Sequence, residues 1–242
     1  MRYMVIGKRQ LLSAGSVLLI LLFAAACAMG VLAQKPKSSL IVSVEREDKR
    51  IGLTFTVQGD ADPEQILDVL QRYNAKATFF LTADWVSAYP DRAKELAAAG
   101  MELGCLIENT ADGQAARDSL QFCRQRIQAA AGVAPGVFRT ADDRWDAAML
   151  GLDCPCVPVS FSLDSRDAAG DGGVQQIADR ILSGAAGGAI VRLTVGAKYT
   201  PAALPYILES LIAKGYEPAA LSRLLWPAPY TVDGEGVQRK AE

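Results

Sequence analysis

Short apolar runs alternate with amphipathic stretches along most of this 242-residue chain. Runs of strand length, rich in β-branched and aromatic residues, predict strands at 40–44, 51–57, 77–82, 101–107, 157–163 and 189–195. Apolar positions at helical spacing predict α-helices at 62–74, 89–99, 114–131 and 201–214. This alternation predicts an α/β fold with a parallel sheet, and the number of units favours a (β/α) barrel. Functional groups are then expected at the C-terminal ends of the strands.

The first 33 residues differ from the rest. A basic N-terminal stretch precedes residues 11–33, a run without charged residues that is long enough to cross a membrane as one hydrophobic helix. We favour an uncleaved anchor with its basic end in the cytoplasm. Cleavage of a signal peptide after Ala33 is the main alternative, and a lipoprotein site before Cys27 is a weaker one. The expected location is therefore the cell membrane, single-pass with an exported C-terminal domain, or outside the cell after cleavage.

The exported part is expected to fold as one domain. Residues 34–48 are predicted to be a linker and first strand, 49–226 the domain itself, and 227–242 a C-terminal tail. No Ser/Pro/Gly-rich linker interrupts the chain after residue 39. The length fits one large α/β domain.

Composition excludes several classes of function. The chain contains no histidine, so a Ser-His-Asp triad, a Cys-His pair and a histidine-zinc hydrolase are all impossible. Its 25 basic and 27 acidic residues give a formal charge of -2, which provides no electrostatic footprint for nucleic acid. No nucleic-acid partner is expected.

Several short motifs follow one another in a characteristic order. They are Leu53-Thr54-Phe55, Ala77-Thr78-Phe79-Phe80, Gly100-Met101-Glu102-Leu103-Gly104, Phe138-Arg139, Ser162-Leu163-Asp164 and Lys214-Gly215-Tyr216. In order and spacing they resemble the polysaccharide deacetylase (NodB-homology, carbohydrate esterase family 4) domain, over about 49–226. The resemblance implies a distorted (β/α) barrel that removes N-acetyl or O-acetyl groups from peptidoglycan, chitin or related glycans. It also implies a divalent metal held by one Asp and two His.

The positions that carry the family's chemistry are changed in this chain. Thr56 stands where the family has its base Asp, and Val57 where it has the metal-binding Asp. Leu106 and Thr110 occupy the positions of the two metal-binding His, and Thr194 that of the general-acid His. Zinc needs about three N, S or carboxylate ligands, which these side chains do not supply. We therefore expect degenerate motifs, no metal, no cofactor and no activity by the family mechanism.

Three charged residues remain as a possible ligand cleft: Arg139, Asp164 and Asp167. The resemblance implies that Arg139 has lost its usual acidic partner at position 56. We expect Arg139 to pair instead with Asp164 or Asp167, because an unpaired buried charge is costly. The pair could be a structural relic or could grip a ligand.

Carboxylates near the strand ends offer a different chemistry. Two of them at a suitable separation could hydrolyse a glycosidic bond. The candidates are Glu108, Asp142, Asp143, Asp164 and Asp167. Solvated loop acids are the simpler interpretation.

Four cysteines follow the hydrophobic segment: Cys105, Cys123, Cys154 and Cys156. On the exported side they could form disulfides, with three possible pairings. Cys105 lies in a predicted strand and Cys123 on a helical apolar stripe, so a place in the core is the stronger prediction for both. The spacing of Cys154 and Cys156 is tighter than that of zinc sites.

Two functional hypotheses follow. The first is a membrane-anchored, extracytoplasmic homologue without catalytic activity that binds a cell-envelope glycan or an envelope protein. The second is an active carbohydrate deacetylase or other hydrolase, acting on N-acetyl groups of peptidoglycan or a chitin-like glycan through a non-standard site.

Overall fold

A curled sheet of parallel strands forms the centre of the fold. The computed structural model describes residues 39–57, 59–108, 110–152, 154–170 and 172–241. The strands are β1 (Ser43–Val44), β2 (Arg50–Val57), β3 (Thr78–Leu81), β4 (Glu102–Ile107), β5 (Val137–Thr140), β6 (Val157–Pro158), β7 (Leu163–Asp164), β8 (Ile190–Thr194), β9 (Glu217–Ala219), β10 (Tyr230–Val232) and β11 (Val237–Lys240). The helices are α1 (Glu64–Arg72), α2 (Ala83–Ala88), α3 (Pro90–Ala98), α4 (Gly113–Ala131), α5 (Ala147–Leu150), α6 (Val174–Gly184), α7 (Thr200–Ala213) and α8 (Leu221–Leu224).

The order of strands in the main sheet is β6-β5-β4-β3-β2-β8-β7, and β9 adds to β2. Every pairing in this sheet is parallel. The two edge strands, β6 and β7, follow each other in the chain, so the segment between them crosses from one edge of the sheet to the other. Ile41 pairs with Val159 in that segment. These features confirm the α/β class and the distorted barrel, which has the form of a curled half-barrel.

Side chains on the two faces of the sheet enter different apolar clusters, because successive strand residues point to opposite faces. On the helix side, Phe55 stacks on Phe79 with ring centroids 5.0 Å apart. On the concave side, Phe80 and Leu106 pack with Leu221 of α8. The C-terminal strand ends are therefore held between two buried layers.

The predicted helices at 62–74, 89–99, 114–131 and 201–214 are confirmed as α1, α3, α4 and α7. A side-chain cap begins α4, where the Asp112 carboxylate accepts hydrogen bonds from the backbone N–H groups of Gln114 and Ala115. The predicted strand at 157–163 is replaced by the two-residue strands β6 and β7. Pro158 cannot donate to a ladder, which limits the length of β6.

The segment expected as a C-terminal tail contains two strands. β11 pairs parallel with β1 and antiparallel with β10. Gln238 of β11 is fully buried, where its amide donates to the Trp226 carbonyl (3.0 Å) and its side-chain oxygen accepts the Trp226 N–H (2.9 Å). The residues after 226 are thus packed against the start of the domain.

The predicted membrane segment, 11–33, lies outside the described residues. Within the described ranges, no helix is both long and apolar enough to span a membrane. The domain boundaries proposed from the sequence stay predictions.

Replacing Gln238 with Ala should lower the free energy of unfolding by about 1–3 kcal/mol, because it leaves two partly buried backbone groups of Trp226 without these partners. Chemical denaturation of the purified protein measures this effect. The matched control is Gln71→Ala on the exposed face of α1, for which we expect a change within about 0.5 kcal/mol. Equal effects of the two substitutions would contradict a structural role for β11.

Candidate functional site

A polar cavity of about 360 Å³ lies at the C-terminal ends of β2, β5, β7 and β8. This is the end of the sheet at which the barrel topology places functional groups. Its charged and hydroxyl lining consists of Arg139, Arg166, Arg192, Asp143, Asp164, Asp167, Thr56, Thr140 and Thr194. Three alanines complete it. The cavity brings together five of the eight site positions predicted from the sequence.

Arg192 is at the centre of an ion cluster on one side of the cavity. Its Nη2 lies 2.8 Å from Oδ2 of Asp164, its Nε lies 3.3 Å from Oδ1 of the same carboxylate, and its Nη1 donates to Asp143. The guanidinium also stacks on the Phe161 ring, 3.8 Å from the centroid. Two carboxylates and one aromatic face thus engage this one guanidinium.

The cluster keeps Asp164 ionised. Burial alone would raise the pKa of Asp164, but hydrogen bonds from Arg192 and from the Arg166 backbone outweigh burial, so the pKa lies below its usual value. A carboxyl that acts as a general acid near neutral pH needs a raised pKa instead. Asp164 is therefore poorly suited to the glycosidase mechanism considered from the sequence.

Arg139 is buried in the floor of the cavity, with 1% of its surface exposed. Its guanidinium donates to the Val159 carbonyl (3.2 Å), the Thr54 hydroxyl (3.0 Å) and the Ser160 carbonyl (2.7 Å). It also lies 4.3 Å from the centroid of the Phe80 ring. Burial, followed by repulsion from nearby Arg192, lowers the pKa of Arg139 to about 9, so the group is still a cation at neutral pH.

The predicted ion pair between Arg139 and Asp164 or Asp167 is wrong. Asp164 pairs with Arg192, which lies on the neighbouring strand at the paired register position. Asp167 is 5% exposed, and its Oδ2 accepts the Thr194 N–H (2.8 Å) and the Thr200 hydroxyl (2.6 Å). The structure therefore gives Asp167 the role of fixing the end of β8 to the start of α7.

Two threonine hydroxyls in the lining have no hydrogen-bond partner among the described residues. They are Oγ1 of Thr56, at the inner face of β2, and Oγ1 of Thr140, the last residue of β5. Both oxygens are buried, and buried hydroxyls normally find a partner. Each can donate one hydrogen bond and accept two.

The other inherited positions do not converge on the cavity. Val57 is fully buried in the helix-side core and Leu106 is 2% exposed in the concave-side core. Thr110 lies in a different cleft, where its hydroxyl is 3.3 Å from Asp142. These hydrocarbon and hydroxyl groups do not fit the metal that the resemblance implies. Among the described residues, no three Asp, Glu or Cys side chains cluster in a way that could hold a metal ion.

The four described cysteines are thiols. Cys105, Cys123 and Cys156 are buried, which confirms the core prediction for Cys105 and Cys123. The Cys123 thiol donates to the Leu81 carbonyl (3.2 Å). The hydrogen bond with Cys123 and burial raise the pKa of the Cys105 thiol, so it stays protonated and unreactive.

Sequence reasoning missed Arg192 and Thr140. Arg192 interrupts an otherwise apolar run in β8, and a charge inside a buried strand indicates a specific partner. The sequence therefore did indicate Arg192. It did not indicate Thr140, because a threonine at a strand end is common and only the structure shows that its hydroxyl lacks a partner among the described residues.

Replacing Arg192 with Met should raise the pKa of Asp164, because the opposing effect of burial remains. In the native protein the folded-state pKa is lowered, so Asp164 stabilises the fold above its unfolded pKa of about 3.9, and this contribution is lost as pH falls further. NMR titration of the Asp164 carboxyl measures the shift directly. Arg144→Met, which removes an exposed arginine from Asp142, is the control and should leave Asp164 unchanged. An identical Asp164 titration in Arg192→Met would contradict the cluster.

Comparison with known proteins identifies the family. The model of the family described as polysaccharide deacetylase matches residues 43–152. A chitooligosaccharide deacetylase from Rhizobium leguminosarum bv. trifolii is 30% identical over 166 residues, covering 62% of this chain and 73% of that protein. A peptidoglycan-N-acetylglucosamine deacetylase from Bacillus cereus is 29% identical over 213 residues, covering 79% of this chain and 95% of that protein.

Another relative is much longer. The chain matches 31% of a bifunctional xylanase/deacetylase from Pseudobutyrivibrio xylanivorans, at 29% identity over 188 residues and 74% of this chain. Among solved structures, a carbohydrate esterase family 4 pseudoenzyme from Bacillus anthracis has the same fold. The TM-score is 0.72 at 24% identity, covering 77% of this chain and 69% of that one. With its half-barrel fold and these relatives, the chain belongs to the polysaccharide deacetylase family.

Proposed function

We propose that this chain is a catalytically inactive member of the family that binds a cell-envelope glycan in the cavity at the strand ends. One observation carries the proposal. The cavity keeps a dense polar lining, while the positions inherited for metal binding and proton transfer hold Thr56, Val57, Leu106, Thr110 and Thr194.

Without a metal and proton-transfer groups, the reaction would lose a larger factor in rate than the polar side chains left in the cavity can supply. A bound metal lowers the pKa of its water from 15.7 to about 7, which is worth roughly eight to nine decades of hydroxide at neutral pH. Positioned donors and bases contribute about two to four decades each. Three carboxylates in the lining could act instead, but Asp143 and Asp164 are engaged by Arg192, and Asp167 by Thr194 and Thr200. The described lining residues therefore do not favour the active-hydrolase alternative.

Binding of an envelope glycan is supported by the relatives and by the cavity. Relatives are named for deacetylation of peptidoglycan N-acetylglucosamine and of chitooligosaccharide. A protein of the same fold is described as a pseudoenzyme, so this fold is compatible with lost activity. The volume of the cavity falls within the roughly 300–1,000 Å³ of small-molecule sites, in which placed polar groups fix the orientation of the ligand.

Export is part of the same proposal. Residues 11–33, acting as a membrane anchor or as a signal peptide cleaved after Ala33, would place the domain among envelope glycans. An envelope protein is the competing partner.

Purified protein should release no acetate from peptidoglycan or chitooligosaccharide and should hold far less than one equivalent of zinc after dialysis against zinc-containing buffer. Acetate assays and elemental analysis measure the two quantities. An active deacetylase of the family, assayed in parallel, controls for substrate quality. Metal-dependent acetate release by this chain would support the active-hydrolase alternative and overturn the proposal.

The purified protein should co-sediment with insoluble peptidoglycan, and filling the cavity should abolish this binding. Ala169 lines the cavity and is exposed, so Ala169→Trp should block the cavity with little effect on folding. Ala98→Trp, at the exposed end of α3, is the matched control and should bind normally. Binding that survives Ala169→Trp, or that requires a wall protein rather than glycan, would contradict a glycan site in this cavity.

A further inference from the structure

The guanidinium of Arg139 is a buried cation. No ion pair joins Arg139 to a carboxylate among the described residues. The nearest acids are committed elsewhere: Asp143 and Asp164 to Arg192, and Asp167 to Thr194 and Thr200. Neutral oxygens take three of the five guanidinium N–H groups. A buried cation of this kind is costly for the fold unless something supplies the missing negative charge.

Two further donors line the same cavity. The hydroxyls of Thr56 and Thr140 are buried without a partner, and Thr140 as a whole is 1% exposed. Thr56 follows Thr54 by two residues, so it lies on the same face of β2 as the hydroxyl that Arg139 contacts. The cavity thus offers one planar cation without an ion pair and two O–H donors without an acceptor among the described residues.

We propose that the cavity binds the carboxylate of an acidic sugar, with the Arg139 guanidinium and the hydroxyls of Thr56 and Thr140 as donors. This inference rests on the proposed function, because it names the class of glycan unit that the same cavity holds. A guanidinium edge is complementary to a carboxylate, which accepts two parallel N–H bonds. The two threonine hydroxyls are placed in the same lining to donate to the remaining lone pairs.

The charges of the lining favour a carboxylate over a phosphate. Three arginines and three aspartates line the cavity, so its formal charge is balanced. Among the described residues, Arg192 is paired with two of the aspartates and Arg166 is exposed to solvent, whereas Arg139 is buried and forms no ion pair. One monoanion matches that single buried cation. A phosphate monoester carries more negative charge and would face three aspartates, while the described lining offers no second buried cation without an ion pair. A neutral sugar would leave Arg139 without a counter-ion.

The test is the affinity difference within matched pairs of sugars, measured by calorimetry on the purified protein at neutral pH. Glucuronic acid is compared with glucose, and N-acetylmuramic acid with N-acetylglucosamine; the members of each pair differ in one carboxylate-bearing group. We expect the acid of at least one pair to bind about 10-fold to 100-fold more tightly than its neutral partner, the effect of charge-assisted hydrogen bonds. Equal affinities in both pairs, or no binding of either acid, would overturn the inference.

Acetate is a separate arm of the same experiment, because it carries the carboxylate without the sugar. We expect acetate to compete with the acidic sugar at a concentration at least about 10-fold higher, since it lacks the contacts of the ring. If acetate binds as tightly as the acidic sugar, the cavity is a site for small carboxylates, and the acidic-sugar assignment is contradicted.

Three substitutions locate the site. Thr56→Val and Thr140→Val keep the side-chain shape and remove only the hydroxyl. Each should lower the affinity for the acidic sugar about threefold to tenfold. Thr231→Val, on exposed β10, is the control and should change nothing. Thr56→Asp supplies a carboxylate of the protein's own to Arg139. This variant should lose the preference for the acidic sugar, and its midpoint of thermal unfolding should rise. It therefore tests the role of Arg139 in a folded protein even if variants of Arg139 itself do not fold.

Failure of this inference is distinguishable from failure of the proposed function. If Ala169→Trp loses peptidoglycan binding but no acidic sugar is preferred over its neutral partner, the glycan site is supported and the carboxylate assignment is wrong. Unchanged affinities in both threonine-to-valine variants would also remove the assignment. If Ala169→Trp still binds peptidoglycan, the proposed function falls first.

Discussion

The buried guanidinium of Arg139 connects three parts of the half-barrel. It extends from β5 to the Thr54 hydroxyl of β2 and to the carbonyls of Val159 and Ser160, in the segment that crosses between the edge strands. Phe80 of β3 covers one face of it. Hydrogen bonds from a charged donor are stronger than neutral ones, so these contacts help to hold the sheet in its curled form. The same Arg139 side chain lines the cavity at the strand ends.

Two of the positions at which the resemblance implies metal-binding side chains are occupied by hydrocarbon side chains in the core. Val57 joins the cluster between sheet and helices, and Leu106 joins the cluster on the concave face. A fully buried Val or Leu contributes about 1.5–3 kcal/mol by leaving water, whereas a buried carboxylate or imidazole needs partners. At Val57 and Leu106, two of the three positions at which the resemblance implies metal ligands, the side chains therefore pack in the core instead.

Sequence patterns predicted those parts of the fold that depend on periodic apolar burial. The helices α1, α3, α4 and α7 and the strands β2, β3, β4 and β8 all carry strong periodic or continuous apolar patterns. The patterns failed where structure depends on long-range pairing: β11 is a polar strand, held by pairing with β1 and by the buried amide of Gln238. The motif resemblance located the site, but the choice of Arg192 over Arg139 as partner of Asp164 depends on strand register, which the sequence does not encode locally.

The charge states in the cavity suit recognition better than catalysis. Arg192 and backbone hydrogen bonds lower the pKa of Asp164, and Arg139, with its pKa of about 9, stays cationic, so neither group exchanges a proton readily near neutral pH. General acid–base catalysis works best with a pKa near the working pH. Fixed charges and oriented donors need no such matching, and they bind a polar ligand without the cost of reorganising the site. A cavity of this kind can recognise a polar ligand without a group that transfers protons near neutral pH.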